Sequence, residues 1–465
     1  RHSSAASDVY KRQILYNQYV FKLNFLVFSL FLSIFVSGQS LSLAEIYELA
    51  LDKDPELKIA EATYRAEKEA KAKGIAGLLP SLTTRGVTSW NESEVLRGSQ
   101  STFFDGTGNN TYGYSADLIQ PIFRVDRWFQ FSQGKAMSEI AKAKFAFAQQ
   151  ETITRVSITY FNLLKAIKNL EVAQAEESAI KRQRDIAKRL FEEGVSSVTN
   201  FQEAQAFYDL SQVSRIASQG QLEFAREALI AIIGEAPDLA DLNETYPVSS
   251  PNPKSQEQWV GMGLTNNFSL KAAKLATRAS KRNAQSKLSD HFPDVDLVAN
   301  VTRNNSRQPS FAGGNFSFKE NYIEDRKYSL QFSWPLMAGG LISSERREAY
   351  ANFEKAQQEE ILMERKIKQQ IKSSYSSVLT NLANVKARVQ ALKSSQSALR
   401  ATQFGYESDT RNIVDLLNAE RNFFSAQRDF NSSKYDFIIA ELNLKLSAGI
   451  LSPADIYDIS NFMTD

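Results

Sequence analysis

Apolar and polar residues follow two patterns along the chain, and these patterns occur in the same order twice. Apolar residues three and four positions apart predict helices, whereas alternation at every second position predicts strands. Each half runs as helix, strand, loop, strand and two longer helices. A recurring order, here about 215 residues apart, indicates internal repeats. We therefore divide the chain into a first repeat, residues 39–245, and a second repeat, residues 246–465.

The helices of each repeat differ greatly in predicted length. Those of the first repeat cover about residues 41–74, 129–192 and 197–233. In the second repeat they cover about residues 256–290 and the proline-free stretch 342–451, which is interrupted by a polar break at 406–418. The break at 191–203 is its counterpart in the first repeat. A helix of about 95 Å, at 1.5 Å per residue, must pack against other helices.

Four strands of about ten residues are predicted, at residues 82–91, 112–122, 295–302 and 328–336. One face carries large apolar or aromatic side chains, and the other carries small polar ones. Pro121 and Pro335 close the second strand of each pair. The segments between the strands, residues 91–110 and 304–325, are rich in Ser, Gly and Asn, a composition typical of loops.

The strand pattern is typical of a membrane barrel with lipid outside and water inside. The alternative, an ordinary sheet half-buried on a soluble core, is the commoner case for any single strand. Four strands cannot close a barrel, and open edges are forbidden in hydrocarbon, so several copies must pool their strands. All helices then leave the barrel on one side, where a ring of them forms a tube. The alternative for the helices is a solid coiled-coil spacer.

Composition excludes several classes of function. With 55 basic and 53 acidic residues, the formal charge of +2 indicates no nucleic-acid partner. The chain has no cysteine, which excludes disulfides, thiol catalysis and a lipid-modified N-terminal cysteine. His2 and His291 are the two histidines, too few for a histidine-rich metal site. A mean hydropathy of −0.35 is too polar for a multi-span helical membrane protein.

The N-terminal region predicts export. Residues 1–13 lack periodicity, and we interpret them as an artefactual or tag-like segment. Residues 14–38 resemble a signal peptide, because Lys22 precedes a short apolar run that ends in small residues near Gly38. A membrane anchor is the alternative, but the run is short for a spanning helix.

The chain resembles the TolC family of outer-membrane channels over more than 400 residues. The resemblance lies in segments that occur in the family's order: 54–57 (DPEL), 78–82 (LLPSL), 120–123 (QPIF), 159–163 (TYFNL), 332–336 (FSWPL) with Gly339 and Gly340, and 410–418 (TRNIVDLLN). It implies a mixed α+β fold, in which a homotrimer forms a twelve-stranded β-barrel with four strands per chain. A long α-helical barrel continues it across the periplasm. No cofactor is implied.

The same resemblance implies a function and its partners. The family's members are exit ducts of type I secretion and tripartite efflux, embedded in outer-membrane lipid. They work with a periplasmic adaptor and an inner-membrane pump of the ABC, RND or MFS type. The periplasmic tip is closed by inward coiling of the second helical hairpin, and the pump with its adaptor opens it.

The resemblance also implies a gate at the helical tips. Two Asp residues form an acidic constriction in the family, and their positions here are Asp415 and Asn418. A Tyr and an Arg, matching Tyr406 and Arg411, latch the tip to a Thr-Asp pair. That pair matches Thr199 and Asn200. Both Asn residues depart from Asp, so we expect a more weakly latched tip with a weaker block by cations, because a neutral hydrogen bond is weaker than a charge-assisted one. Without the resemblance, Asp415 would read as a solvated charge.

Two other classes of function stay open at this point. A barrel hydrolase would need a nucleophile–base pair, for which His291 is the remaining histidine once the N-terminus is removed. A non-conducting structural spacer of the envelope would share the helices and strands but have a plugged or solid core. Within the duct class, the sequence does not separate secretion of proteins from efflux of small toxins.

Overall fold

The computed structural model describes residues 40–93, 107–235, 237–242, 246–312 and 315–464. The predicted segments 1–13 and 14–38 lie outside these ranges. None of the helices within them combines the length and the apolar character that crossing a bilayer requires.

The first half contains three short helices, a β-hairpin and two long helices. They are α1 (Leu43–Lys53), α2 (Pro55–Glu67), α3 (Ala70–Ala76), β1 (Ser81–Ser93), β2 (Thr107–Phe123), α4 (Val125–Glu192) and α5 (Val198–Ile233). A short strand, β3 (Asp241–Leu242), follows in the segment between the halves. The long helices end within a few residues of their predicted bounds, because the polar breaks and Gly234 are local signals.

The second half repeats this order. Its elements are α6 (Gln256–Asn266), α7 (Phe268–Ser289), β4 (Asp294–Ala312), β5 (Asn315–Ser333), α8 (Leu341–Glu407), α9 (Ile413–Ser447), α10 (Pro453–Ser460) and β6 (Met463–Thr464). The repeated order is thus present in three dimensions. The boundary between residues 245 and 246 stays a prediction.

The predicted strand lengths and loops were wrong. β4 and β5 each have 19 residues, and residues 304–312 and 315–325, from the segment predicted as a loop, are paired with each other as parts of these strands. Nor does Pro121 close β2, which continues past an irregularity in register to Phe123. Backbone hydrogen bonds to a neighbouring strand hold polar residues extended, and composition does not reveal that partner.

Two predicted helices are divided by polar caps. The helix at 256–290 is divided at Asn267, whose side chain accepts a hydrogen bond from the backbone N of Leu270 at 3.1 Å. The notch predicted before Pro55 is confirmed, and Asp54 there accepts from the backbone N of Glu56 at 3.0 Å. Each cap satisfies an amide at the start of the following helix.

The shorter helices lie along the long ones. The side chains of Arg215 on α5 and Glu177 on α4 are 2.7 Å apart, whereas Tyr64 on α2 stacks on Phe145 nearer the start of α4. α5 and α2–α3 therefore cover different lengths of α4. Close approach of α3 requires glycine at position 134, because a Cβ there would lie 2.4 Å from the carbonyl oxygen of Ala70.

The main hydrophobic core lies near the middle of the long helices. It contains Tyr160 and Phe161 of α4 with Tyr435 and Phe437 of α9. Around it, the first described residues, the linker and the C-terminal segment meet: Leu41 bridges Leu239, and β3 pairs with β6. The helices therefore extend from this core in two directions, towards the sheet at one end and the turns at the other.

Candidate functional site

The turn between α4 and α5 forms the first tip. Gly194 has φ +75°, a left-handed conformation that ends α4 without strain from a Cβ. Ser197 caps α5 by accepting a hydrogen bond from the backbone N of Asn200 at 3.3 Å. The side-chain amide of Asn200 donates to Ser196 Oγ at 2.9 Å, and Thr199 is exposed.

The second tip, between α8 and α9, is built in the same way. Asp409 occupies the position of Gly194 and has φ 56°, a conformation that Asp tolerates better than most residues. Asn412 caps α9 by accepting from the backbone N of Asp415 at 2.8 Å. Asp415 therefore lies in the first turn of α9, where the helix dipole stabilises a carboxylate.

The two predicted constriction residues lie on the same side of α9, three positions apart. Arg411 Nη1 is 3.7 Å from Asp415 Oδ2, and the carboxylate side chain is 40% exposed. Asn418 Oδ1 accepts from Arg421 Nη2 at 3.3 Å. A cation that approaches Asp415 from solvent therefore competes with a guanidinium of the same chain.

The predicted latch residues are near the tips but not bonded as predicted within one chain. Tyr406 packs on a small cluster of residues from both hairpins, Ile180, Ala187, Ala204, Ile413 and Leu417. Burial, followed by the nearby charge of Asp409, raises the pKa of Tyr406. In the described part of the chain, neither Tyr406 nor Arg411 bonds to Thr199 or Asn200. The latch stays a prediction.

Sequence reasoning missed a set of buried polar contacts between the two hairpins. Arg428 of α9 donates to Glu176 of α4, whose side chain is buried. Gln183 of α4 donates to Glu420 Oε1 of α9 at 3.2 Å, and burial raises the pKa of Glu420. Charged residues on a long helix resemble a solvated face, so the sequence carries no signal for these contacts.

The four long strands form one antiparallel sheet in the order β1-β2-β4-β5. Direct pairing places the large apolar and aromatic residues on one face: Leu82, Trp90, Tyr112, Tyr114, Leu118, Leu297, Tyr328, Leu330 and Phe332. The other face is mostly polar, and there Asn300 donates to Asp117 at 2.5 Å. On this face of β5, the nearest charged residue, Arg326, lies eight residues before Trp334, or about 20 Å for strands tilted near 40°.

Among the described residues, no carboxylate orients His291 as one orients the catalytic base of a hydrolase triad. Its Nε2 lies 3.5 Å from Ser343 Oγ, but its buried Nδ1 has no partner among the described residues to orient the ring. Its backbone oxygen accepts from Trp334 Nε1 at 3.1 Å, which ties β5 to the end of α7.

Comparisons with known proteins agree on the kind of molecule. A family model described as outer membrane efflux protein matches residues 46–235 and 259–450. The chain is 28% identical to Outer membrane protein TolC of Escherichia coli over 434 residues, 92% of this chain and 86% of that protein. It is 27% identical to Alkaline protease secretion protein AprF of Pseudomonas aeruginosa over 425 residues, 90% of this chain and 86% of that protein. The crystal structure of the outer membrane protein VceC from Vibrio cholerae has a TM-score of 0.71 at 18% identity, covering 88% and 96% of the two chains.

Proposed function

The chain belongs to the outer membrane efflux protein family, and from that premise we propose that it is the outer-membrane exit duct of type I secretion and tripartite efflux. It conducts substrates passively from the periplasm to the outside. The observation that carries this proposal is the two-faced sheet, whose edge strands β1 and β5 have no further strand beside them in the described part of the chain. Such a sheet is stable in hydrocarbon only when it closes with other sheets around an aqueous lumen.

The helices also support assembly from several copies. α5 exposes a stripe of large apolar residues at helical spacing: Leu210, Val213, Ile216 and Phe224, each at least 60% exposed. An apolar stripe along an otherwise polar helix marks a surface that a partner covers. We propose that a neighbouring copy covers it, in a homotrimer with a twelve-stranded barrel and a helical barrel below.

The gate would lie at the tips. Asp415 copies around the axis would attract cations, while Arg411 of the same chain offsets part of that charge. Tyr406 and Arg411 would latch the second tip to Thr199 and Asn200 of a first tip. Because Asn200 and Asn418 are neutral, this latch would be weaker than one with two Asp residues.

The partners follow from the proposed place in the envelope. A duct that ends in the periplasm needs an inner-membrane pump, of the ABC, RND or MFS type, and a periplasmic adaptor to reach it. Names of similar proteins refer to protease secretion and to cation efflux. The duct would therefore accept both proteins and small solutes, with the pump choosing the cargo.

Conductance and oligomer mass test this function. The purified protein is expected to have the mass of three chains and to conduct in a planar bilayer, with a conductance that rises when Arg411 or Tyr406 is replaced by Ala. Arg388→Ala, on α8 and paired with Asp429, is the matched control and should leave conductance unchanged. Absence of conductance in all of these proteins would favour the structural spacer instead.

A further inference from the structure

The two edge strands of the sheet differ in length, but the backbone groups on both need hydrogen-bond partners. β1 has 13 residues and β5 has 19, and among the described residues neither has a neighbour on its outer side. Backbone N–H and C=O groups on these edges must be paired in a membrane. β1 and β5 run in opposite directions, so β5 of one copy can pair with β1 of the next as an antiparallel neighbour.

The internal repeat predicts the register of that pairing. β1 begins at Ser81 and β4 at Asp294, 213 residues later. Their partners Ile119 and Ser333 differ by 214 residues. Pro121 and Pro335 differ by the same 214 residues. β1 therefore corresponds to β4 with a shift of 213, and β2 corresponds to β5 with a shift of 214.

The join between copies is then the counterpart of a join inside the chain. β2 pairs with β4 where the first hairpin meets the second, and Ser115 lies opposite Thr302 there. Moving Ser115 forward by 214 gives Ser329, and moving Thr302 back by 213 gives Ser89. Resting on the proposed function, we propose that β5 of one copy pairs with β1 of the next copy so that Ser329 lies opposite Ser89.

The faces of the two strands agree with this register. It places Tyr328 opposite Trp90, and both lie on the aromatic face of the sheet. These side chains are 74% and 70% exposed in one chain, so each gains a neighbour at the join. A slip of one residue would turn one strand's aromatic face to the other side of the sheet.

Charge and hydrogen bonding favour the same register over slips of two residues. The register brings Arg326 opposite Glu92, whereas a slip in one direction places Glu92 opposite Glu324, and like charges directly opposite destabilise a sheet. A slip in the other direction leaves Glu92 opposite Tyr328. The Ser329 hydroxyl is buried without a hydrogen-bond partner among the described residues, and Ser89 of the next copy would supply one.

Disulfide cross-linking tests the register directly, because the chain has no cysteine of its own. One form carries Ser89→Cys, a second carries Ser329→Cys, and the two are co-expressed with different tags and oxidised. Within one chain these positions are three strand spacings apart, about 14 Å across the sheet, and are displaced along the strands as well, because Ser89 is level with Asn321 on β5. That is too far for a disulfide. We expect a linked pair that contains one chain of each form.

The matched controls shift one cysteine by two residues, in Lys327→Cys and Gln331→Cys, each co-expressed with Ser89→Cys. Diagonal neighbours lie about 7–8 Å apart, at or beyond the upper end of the usual Cα separation for a disulfide. We expect these pairs to link at least about tenfold more slowly than the Ser89 and Ser329 pair.

Oligomer mass and bilayer conductance distinguish failure of the proposed register from failure of the proposed function. A conducting oligomer that links faster through position 327 or 331, or through none of the three, would overturn the register and leave the proposed function intact. A protein that forms no oligomer and does not conduct would overturn both.

Discussion

The hydroxyl of Tyr160, midway along α4, donates a hydrogen bond to the carbonyl oxygen of Leu41 at 3.1 Å. Leu41 lies two residues before α1. In the second half Tyr375, on α8, donates to the carbonyl of Lys254, which lies two residues before α6. In both halves, therefore, a tyrosine of the long helix donates a hydrogen bond to the backbone just before the first short helix. Tyr160 also donates to the carbonyl of Ala240, at 2.5 Å.

Replacing Tyr160 by Phe is expected to destabilise the protein. Loss of the hydroxyl leaves the carbonyl of the buried Ala240 without its donor, at about 1–3 kcal/mol. The carbonyl of Leu41 keeps a second donor, the backbone N of Ala240 at 3.0 Å. Tyr375→Phe should cost less, because Lys254, whose carbonyl accepts from Tyr375, is exposed and water can replace the lost donor. Thermal unfolding followed by circular dichroism measures both, and Tyr350→Phe, at an exposed site, is the control. Equal melting temperatures for Tyr160→Phe and the unmodified protein would contradict this prediction.

Arg155 is expected to stabilise the fold by pairing with the buried carboxylate of Asp54, which is 2% exposed. Arg155→Ala leaves that charge without its partner, at about 3–5 kcal/mol. Asp54→Asn keeps the cap of α2, as Asn267 does for α7, so adding it to Arg155→Ala should restore part of the stability. Lys144→Ala removes an exposed pair with Glu67 and should cost no more than about 1 kcal/mol. Thermal unfolding of the four proteins measures these differences, and a double variant no more stable than Arg155→Ala would argue against an unpaired charge as the cause.

Glu420 predicts a dependence of stability on pH. Burial raises its pKa, so its contribution to stability is fully present below the unfolded-state pKa and is lost as the pH rises through the folded-state pKa. Glu420→Gln has no carboxylate to ionise, so it avoids the cost of burying the charge and is expected to raise the melting temperature at pH 7. The gain over the unmodified protein should shrink as the pH is lowered towards 5. Glu171→Gln, in an exposed pair with Lys168, is the control, and a gain at Glu420 that is independent of pH would refute the assignment.

At the tip, the proposed gate predicts opposite effects of two substitutions on block by divalent cations. Asp415→Ala should weaken the block, and Asn418→Asp should strengthen it by adding a second acidic ring. A change of about fivefold in blocking concentration, about 1 kcal/mol, is expected for exposed charges of this kind. Single-channel recordings with added divalent cations measure it. Asp429→Ala, farther along α9, is the control and should leave the block unchanged. An unchanged block in Asp415→Ala would contradict the proposed gate.

Local signals in the sequence were sufficient for the long helices and the tips. Residues three and four apart predict the long helices, and Gly194, Ser197 and Asn412 act on amides and dihedral angles within a few residues of themselves. For that reason the ends of α4 and α5 and the position of Asp415 in the first turn of α9 follow closely from the sequence. The repeated order of elements also follows from local patterns, because the same sequence of helix and strand patterns occurs in both halves.

Only the tertiary structure decided features that depend on distant partners. Residues 304–312 and 315–325 are extended because β4 and β5 pair with each other there, although the composition of these segments is typical of a loop. Glu176 is buried because Arg428, 252 residues away, lies against it, and in the sequence both resemble solvated charges. Hydrogen bonds and ion pairs of this kind depend on which surfaces meet, and that information lies in the packing of the helices and strands.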